Sequence, residues 1–200
     1  MPNNIEQAAH LVTQLQQAHR IVAAFYQRIL PLFDSIASKA MDADFMYWYP
    51  SETSRPCSQY SRPSRSWAWD FLPIYASEHV YKNWDSGSAK KGDETLTFRL
   101  YVDDDFRSSS SLRVGKKNQP DPLQLDGQAV VEVILFRCLE DSENDFTKLW
   151  ENIPWPPVLA NWKQSEECNL LEMCSSHVSL AQFLTDPDRV VQWIKEMNRI

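Results

Sequence analysis

Two stretches decide the fold: TLTFRLYVD (Thr95–Asp103) and AVVEVILFRCLE (Ala129–Glu140). In the first, Leu96, Phe98, Leu100 and Val102 alternate with Thr97, Arg99 and Tyr101, the period-two pattern of a strand with one face on a core. In the second both faces are apolar, which marks a covered strand at the middle of a sheet. Antiparallel pairing lays the start of one strand beside the end of the other. It gathers Asp93, Glu94, Glu140, Asp141, Glu143 and Asp145 at one rim, and Asp103, Asp104, Asp105 and Asp126 at the opposite rim. Clustered like charge speeds encounter with a cationic partner, so the first rim is a candidate partner-binding surface. The connection between the strands, Asp104–Gln128, exceeds the roughly 15 residues beyond which loops are usually mobile or functional, and weak order is expected there.

Upstream, Ile5, Ala8, Val12, Leu15, His19, Val22, Tyr26, Ile29, Phe33 and Ile36 alternate spacings of three and four, an amphipathic helix spanning residues 4 to 41. Leu11, Ala18, Phe25 and Leu32 widen its apolar face, which suits packing on a sheet or bundle, with His19 satisfied in the core. A homodimer through this helix is the alternative use of the seam. Pro31 lacks an amide proton and is expected to kink or split the helix near Leu30. A short apolar run, Phe45 to Tyr49, ends at Pro50. The loop that follows holds Arg55, Tyr60, Arg62 and Arg65, a basic and aromatic cluster of the kind enriched at interface anchors. Trp67, Trp69, Phe71 and Tyr75 alternate with Ala68, Asp70, Leu72 and Ile74 and read as a strand limited to an edge or end by Pro73.

Downstream, Ser142 is a candidate cap for a helix bearing Phe146, Leu149, Trp150 and Ile153, ended by Pro154. Leu170 to Val178 reads as a strand. Ser179 caps Leu180 to Leu184, and Asp186 caps a last helix with Pro187 at its first position. The order gives a single α+β domain, residues 1–200: a long N-terminal amphipathic helix on a mainly antiparallel sheet of about four to five strands, with C-terminal helices.

Composition removes several functions. The 200 residues carry only 4 Gly, and no two are close enough for a dinucleotide fingerprint. Gly87 and Gly92 have the outer spacing of a phosphate loop, but Asp93 and Glu94 follow where Lys and a hydroxyl residue are needed. The 4 Cys form no C-x-x-C pair and the 4 His are scattered, so neither a structural metal nor a cofactor is expected. The N-terminus lacks a signal pattern and no apolar run reaches membrane-spanning length, so a cytoplasmic protein is expected. A net charge of −7 disfavours nucleic acid as the main partner.

Asp70 and Glu132 interrupt apolar strand faces and are candidate catalytic carboxylates, since desolvation raises a buried carboxyl pKa toward general acid–base use. The alternative is that each is held by Arg99, an indole or the backbone. Asp103–Asp105, with Glu78 and His79, is a weaker candidate for a hard cation. The reading that fits best is a non-enzymatic cytoplasmic protein-binding protein (an inhibitor, immunity-type neutraliser, adaptor or chaperone) with a protein partner, acidic rims and exposed aromatic and Arg residues. The alternatives are a hydrolase or metal-dependent enzyme built on Asp70 and Glu132, and a nucleic-acid accessory factor using basic loops 55–65 and 107–117.

Overall fold

The computed structural model describes residues 4–53, 62–85, 87–107, 109, 110, 112 and 120–199, with the side chain of Arg65 left aside. Six strands form one sheet: β1 (Asp44–Pro50), β2 (Ala76–Lys82), β3 (Glu94–Tyr101), β4 (Val130–Cys138), β5 (Leu159–Gln164) and β6 (Leu171–Ser179). The spatial order is β1-β2-β3-β4-β6-β5, and every neighbouring pair is antiparallel. The helices are α1 (Ile5–Met41), α2 (Phe146–Trp150), α3 (Leu180–Thr185) and α4 (Pro187–Met197). The fold is therefore α+β, with slightly more strands than the sequence suggests.

The helices α1, α3 and α4 cover one face. Ile29, Phe33 and Ile36 of α1, Phe183 of α3 and Ile194 of α4 pack on Leu96, Phe98, Leu100, Val131, Val133 and Leu135. Phe33 stacks on Phe98 at a centroid separation of 4.9 Å. The other face carries two smaller clusters. At one end Phe146 and Trp150 pack on Ile134, Phe136 and Cys138. At the other, Trp69 and Phe106 pack on Ala76, Tyr101 and Val130.

Several local expectations are corrected. Helix α1 runs unbroken through Pro31. Pro31 and Gln27 both face solvent, where water can take the place of the helical donor that the Gln27 carbonyl loses. Trp67–Tyr75 is not a strand: Ala68–Phe71 is a 3-10 turn, closed by Asp70 Oδ2, which accepts from the Trp67 amide at 3.0 Å. The aromatic alternation there reflects the packing of Trp69 on Tyr75 and Phe106. The α2 cap is Asp145, which accepts from Thr147 N at 2.8 Å, rather than Ser142. Ser179 and Asp186 cap α3 and α4 as their sequence positions suggest. Within the 104–128 connection, Asp104–Phe106 forms a 3-10 turn with Phe106 buried; residues 108, 111 and 113–119 lie outside the described residues.

The first half of α1 also departs from expectation. Its buried residues begin only at Ile29. The seam from Ile5 to His19 faces solvent, with Ile5 85% and Leu15 57% exposed. His19 is exposed, with Nδ1 2.9 Å from the Leu15 carbonyl, rather than a core histidine. Among the described residues no helix is long and apolar enough to cross a membrane.

Candidate functional site

Between the two aromatic clusters of the face that lacks the long helices lies one cross-strand rung: Tyr49, Glu78, Arg99, Glu132 and His177, contributed by β1, β2, β3, β4 and β6. Adjacent strands place directly opposed side chains within reach, so alternating charge along a rung is stabilising. Arg99 Nε donates to Glu78 Oε1 at 3.0 Å, and Arg99 Nη1 donates to Glu132 Oε2 at 2.8 Å. Arg107, beyond the 3-10 turn, donates to Glu132 Oε1 at 2.6 Å, and His177 Nε2 lies 3.1 Å from the same oxygen. The guanidinium of Arg99 sits 4.8 Å from the Trp155 ring centroid, and that of Arg107 sits 4.1 Å from Tyr101.

Burial alone would raise the Glu132 pKa. The His177 hydrogen bond and the Arg99 and Arg107 charges override it and hold the carboxyl down at about 2. A carboxylate held ionised has no proton to donate near neutrality and is a weak base, so the ion pairs favour the holding of Glu132 by Arg99 over general acid–base use. Glu78 differs: burial is the largest influence and raises its pKa, against Tyr49 and Arg99. Asp70 belongs to the turn beside Trp69, where it holds the Trp67 amide. Arg99 is a partner for Glu132 that the sequence suggests, whereas the sequence gives no sign that Glu78, Arg107 and His177 join the same cluster. Only the strand order, which composition does not reveal, puts them on one rung.

The six acidic residues of the first rim do come to one end of the sheet, since 88–94 and 138–145 exchange backbone hydrogen bonds. Most of this charge has local work. Asp93 holds the Lys90 amide at 2.7 Å, and Asp141 holds the Lys91 amide at 2.9 Å. Asp145 caps α2. Glu94 is buried and forms a second rung, with Arg137 at 2.7 Å, which also reaches Glu172 at 3.1 Å. Trp162 covers Arg137 at 4.1 Å and donates to the Met197 carbonyl, pinning the end of α4. Glu140 and Glu143 remain exposed.

At the opposite rim, Asp103, Asp104 and Asp105 accept from the amides of Asp105, Gln128 and Asp126. Glu78 and His79 are consecutive on β2 and so point to opposite faces, which prevents them from completing one cation site. Among the described residues no three His, Cys, Asp or Glu side chains group as a metal site. Arg62 is exposed and Arg65 ends a 3-10 turn. Arg55, Tyr60, Arg113, Lys116 and Lys117 lie outside the described residues.

A half-open cleft of about 610 Å³ lies between the last turns of α1 and strands β1 and β2. Asp34, Asp44, Phe45, Trp48, His79 and Tyr81 line it, over a floor that includes Leu30 and Ile74. A β-bulge shapes it. Phe45 pairs with Tyr81 and Trp48 with His79, leaving Met46 as the extra residue. Phe45 and Trp48 therefore share a face although they are three apart. Ser77 Oγ lies 3.1 Å from His79 Nε2, and Ser77 is 0% exposed. Asp34 accepts from the Tyr81 hydroxyl at 2.6 Å rather than orienting His79.

The fold and these surfaces define an α+β protein with a neutralised charge ladder on one sheet face and a partly uncovered helix on the other. The chain belongs to the PM0109 family, whose profile matches residues 6–190. No curated protein and no solved structure matches it.

Proposed function

We propose that the chain is a non-enzymatic protein-binding protein, of the inhibitor, immunity-type, adaptor or chaperone kind, whose main recognition element is the uncovered half of α1. The observation that carries this reading is the solvent-facing seam of Ile5, Leu11, Val12 and Leu15. Contiguous exposed apolar surface on a folded protein marks an interaction site. Residues 4–24 project for about 30 Å at the helical rise of roughly 1.5 Å per residue. An amphipathic helix of that length draws most of its stability from packing, so a covering surface is expected.

The occupant favoured by the residues is a second copy of the same helix. Glu6 and Arg20 are the only Asp, Glu, Lys or Arg between Ile5 and Gln27, so two copies meet without like-charge repulsion. Antiparallel pairing sets Ile5 against Val22, Ala8 against His19 and Val12 against Leu15, in repeating layers. Exposed Glu140 and Glu143 then remain for a basic partner. A cytoplasmic setting belongs to this reading, supported by free thiols at Cys138, Cys168 and Cys174.

The test compares the wild type with the double variant Val12→Glu, Leu15→Glu, both positions exposed in the monomer. Sedimentation equilibrium is run beside affinity capture on the immobilised proteins. Self-association, or a stoichiometric captured protein, that the double variant loses while keeping its circular dichroism supports the reading. A monomeric wild type with the same capture profile as the variant refutes it.

A further inference from the structure

We infer that the cleft between α1 and the bulged edge strand is a binding site for a small organic ammonium ion carried on an aromatic or aliphatic body. The inference is independent of the uncovered helix seam. Three observations converge on it.

The first is shape. About 610 Å³ falls within the roughly 300–1,000 Å³ of small-molecule sites. The second is the wall. The bulge at Met46 turns Phe45 and Trp48 into the same space as Tyr81. Phe45 and Trp48 remain 51% and 43% exposed, so their rings are available to a ligand rather than spent on the core. An aromatic face attracts a cation through its quadrupole. The third is charge. Asp34 and Asp44 line the cleft, and among the described residues its lining contains no Lys or Arg. The Tyr81 hydroxyl donates to Asp34 Oδ1 and fixes that carboxylate at the cleft wall.

The remaining titratable wall group is His79. Burial depresses it to about 4, so it stays neutral and adds no repulsion near pH 7. A carboxylate beside aromatic rings over an aliphatic floor selects a cation with an apolar body. Neutral isosteres lack the charge term, and carboxylates are repelled by Asp34 and Asp44.

The test uses four probes at pH 7: phenethylammonium, benzyltrimethylammonium, 2-phenylethanol and phenylacetate. Calorimetry reads affinity, and nuclear magnetic resonance of the Trp48 indole reads location. Both ammonium ions are expected to bind and shift Trp48, with the alcohol and the carboxylate at least about tenfold weaker. Asp34→Asn is expected to weaken phenethylammonium about threefold to tenfold, and Trp48→Ala by a similar factor. Should either variant unfold, Asp44→Asn at the exposed start of β1 replaces it, with a smaller loss in the same direction. Equal affinity for the alcohol, ammonium binding that ignores all three substitutions, or no binding by either ammonium ion up to about 10 mM overturns the inference.

Discussion

Replacing Glu132 with Gln probes the charge ladder directly. The carboxylate is 5% exposed and meets three donors: Arg99, Arg107 and His177. Its fall from 4.5 to about 2 is equivalent to about 3 kcal/mol of preference for the ionised form in the folded state. The folded pKa is depressed, so the unfolded chain takes the proton first as pH falls. The contribution is complete above about pH 5 and fades as pH drops toward 2, with about 2 kcal/mol gone by pH 3. Glu132→Gln keeps the shape but removes the carboxylate that two half-buried guanidinium groups share. Removing one partner of a buried pair costs about 3–5 kcal/mol, which agrees with the linkage figure. Urea unfolding followed by circular dichroism at pH 7, 5 and 3 measures it. Glu78, whose pKa burial raises, also feels the Glu132 charge and shares Arg99 with it, so the gap at pH 7 is the primary readout. The variant is expected to be about 3 kcal/mol less stable at pH 7, with the gap narrowing in acid. A gap under about 0.5 kcal/mol at pH 7, or one that stays constant to pH 3, would refute the assignment.

Three further outcomes follow from the same structure. Gly127→Ala places a Cβ against the carboxylates of Asp103 and Asp104 and the Asp105 amide; a loss of about 1–3 kcal/mol in thermal or chemical unfolding is expected. Pro31→Ala restores a helical donor at a solvent-facing position of α1 and should raise stability by about 1–2 kcal/mol, checked by the same unfolding curves. His79 should titrate near pH 4 in a nuclear magnetic resonance titration because burial disfavours its charged form; the unfolded chain protonates it first, so stability falls as pH drops from about 6.5 to 4.

Where side-chain pattern and burial coincide, the sequence was readable. Alternation in β3 and the doubly apolar run of β4 locate the sheet, and Ser179, Asp186 and Pro187 mark two helix starts in advance. Strand β2 was hidden because Ser77, Glu78 and His79 are buried in succession, a polar run that reads as surface until partners on other strands are known. Trp67–Tyr75 imitates a strand because its aromatic spacing serves a turn packed on Phe106. Strand β5 lies at a mostly exposed edge and carries an irregular register, so it has no clean alternation to detect. Heptad spacing discloses a seam on α1 but not what covers it. The cleft was illegible for a geometric reason: period two sends Phe45 and Trp48 to opposite faces, and only the extra residue at Met46 turns them together. The acidic rim was readable as a cluster, while the amides and arginines that occupy most of it were not.

The uncovered half of α1 is proposed as a contact surface in the cell. A photo-crosslinking amino acid placed in turn at Val12, Leu15 and Gln17 tests that, since the first two lie on the apolar seam and Gln17 lies on the far side of the helix. Protein adducts, to a second copy or to a distinct partner, are expected from Val12 and Leu15 and not from Gln17. Equal adducts from all three positions, or none from any, would contradict the assignment of this helix as the recognition element.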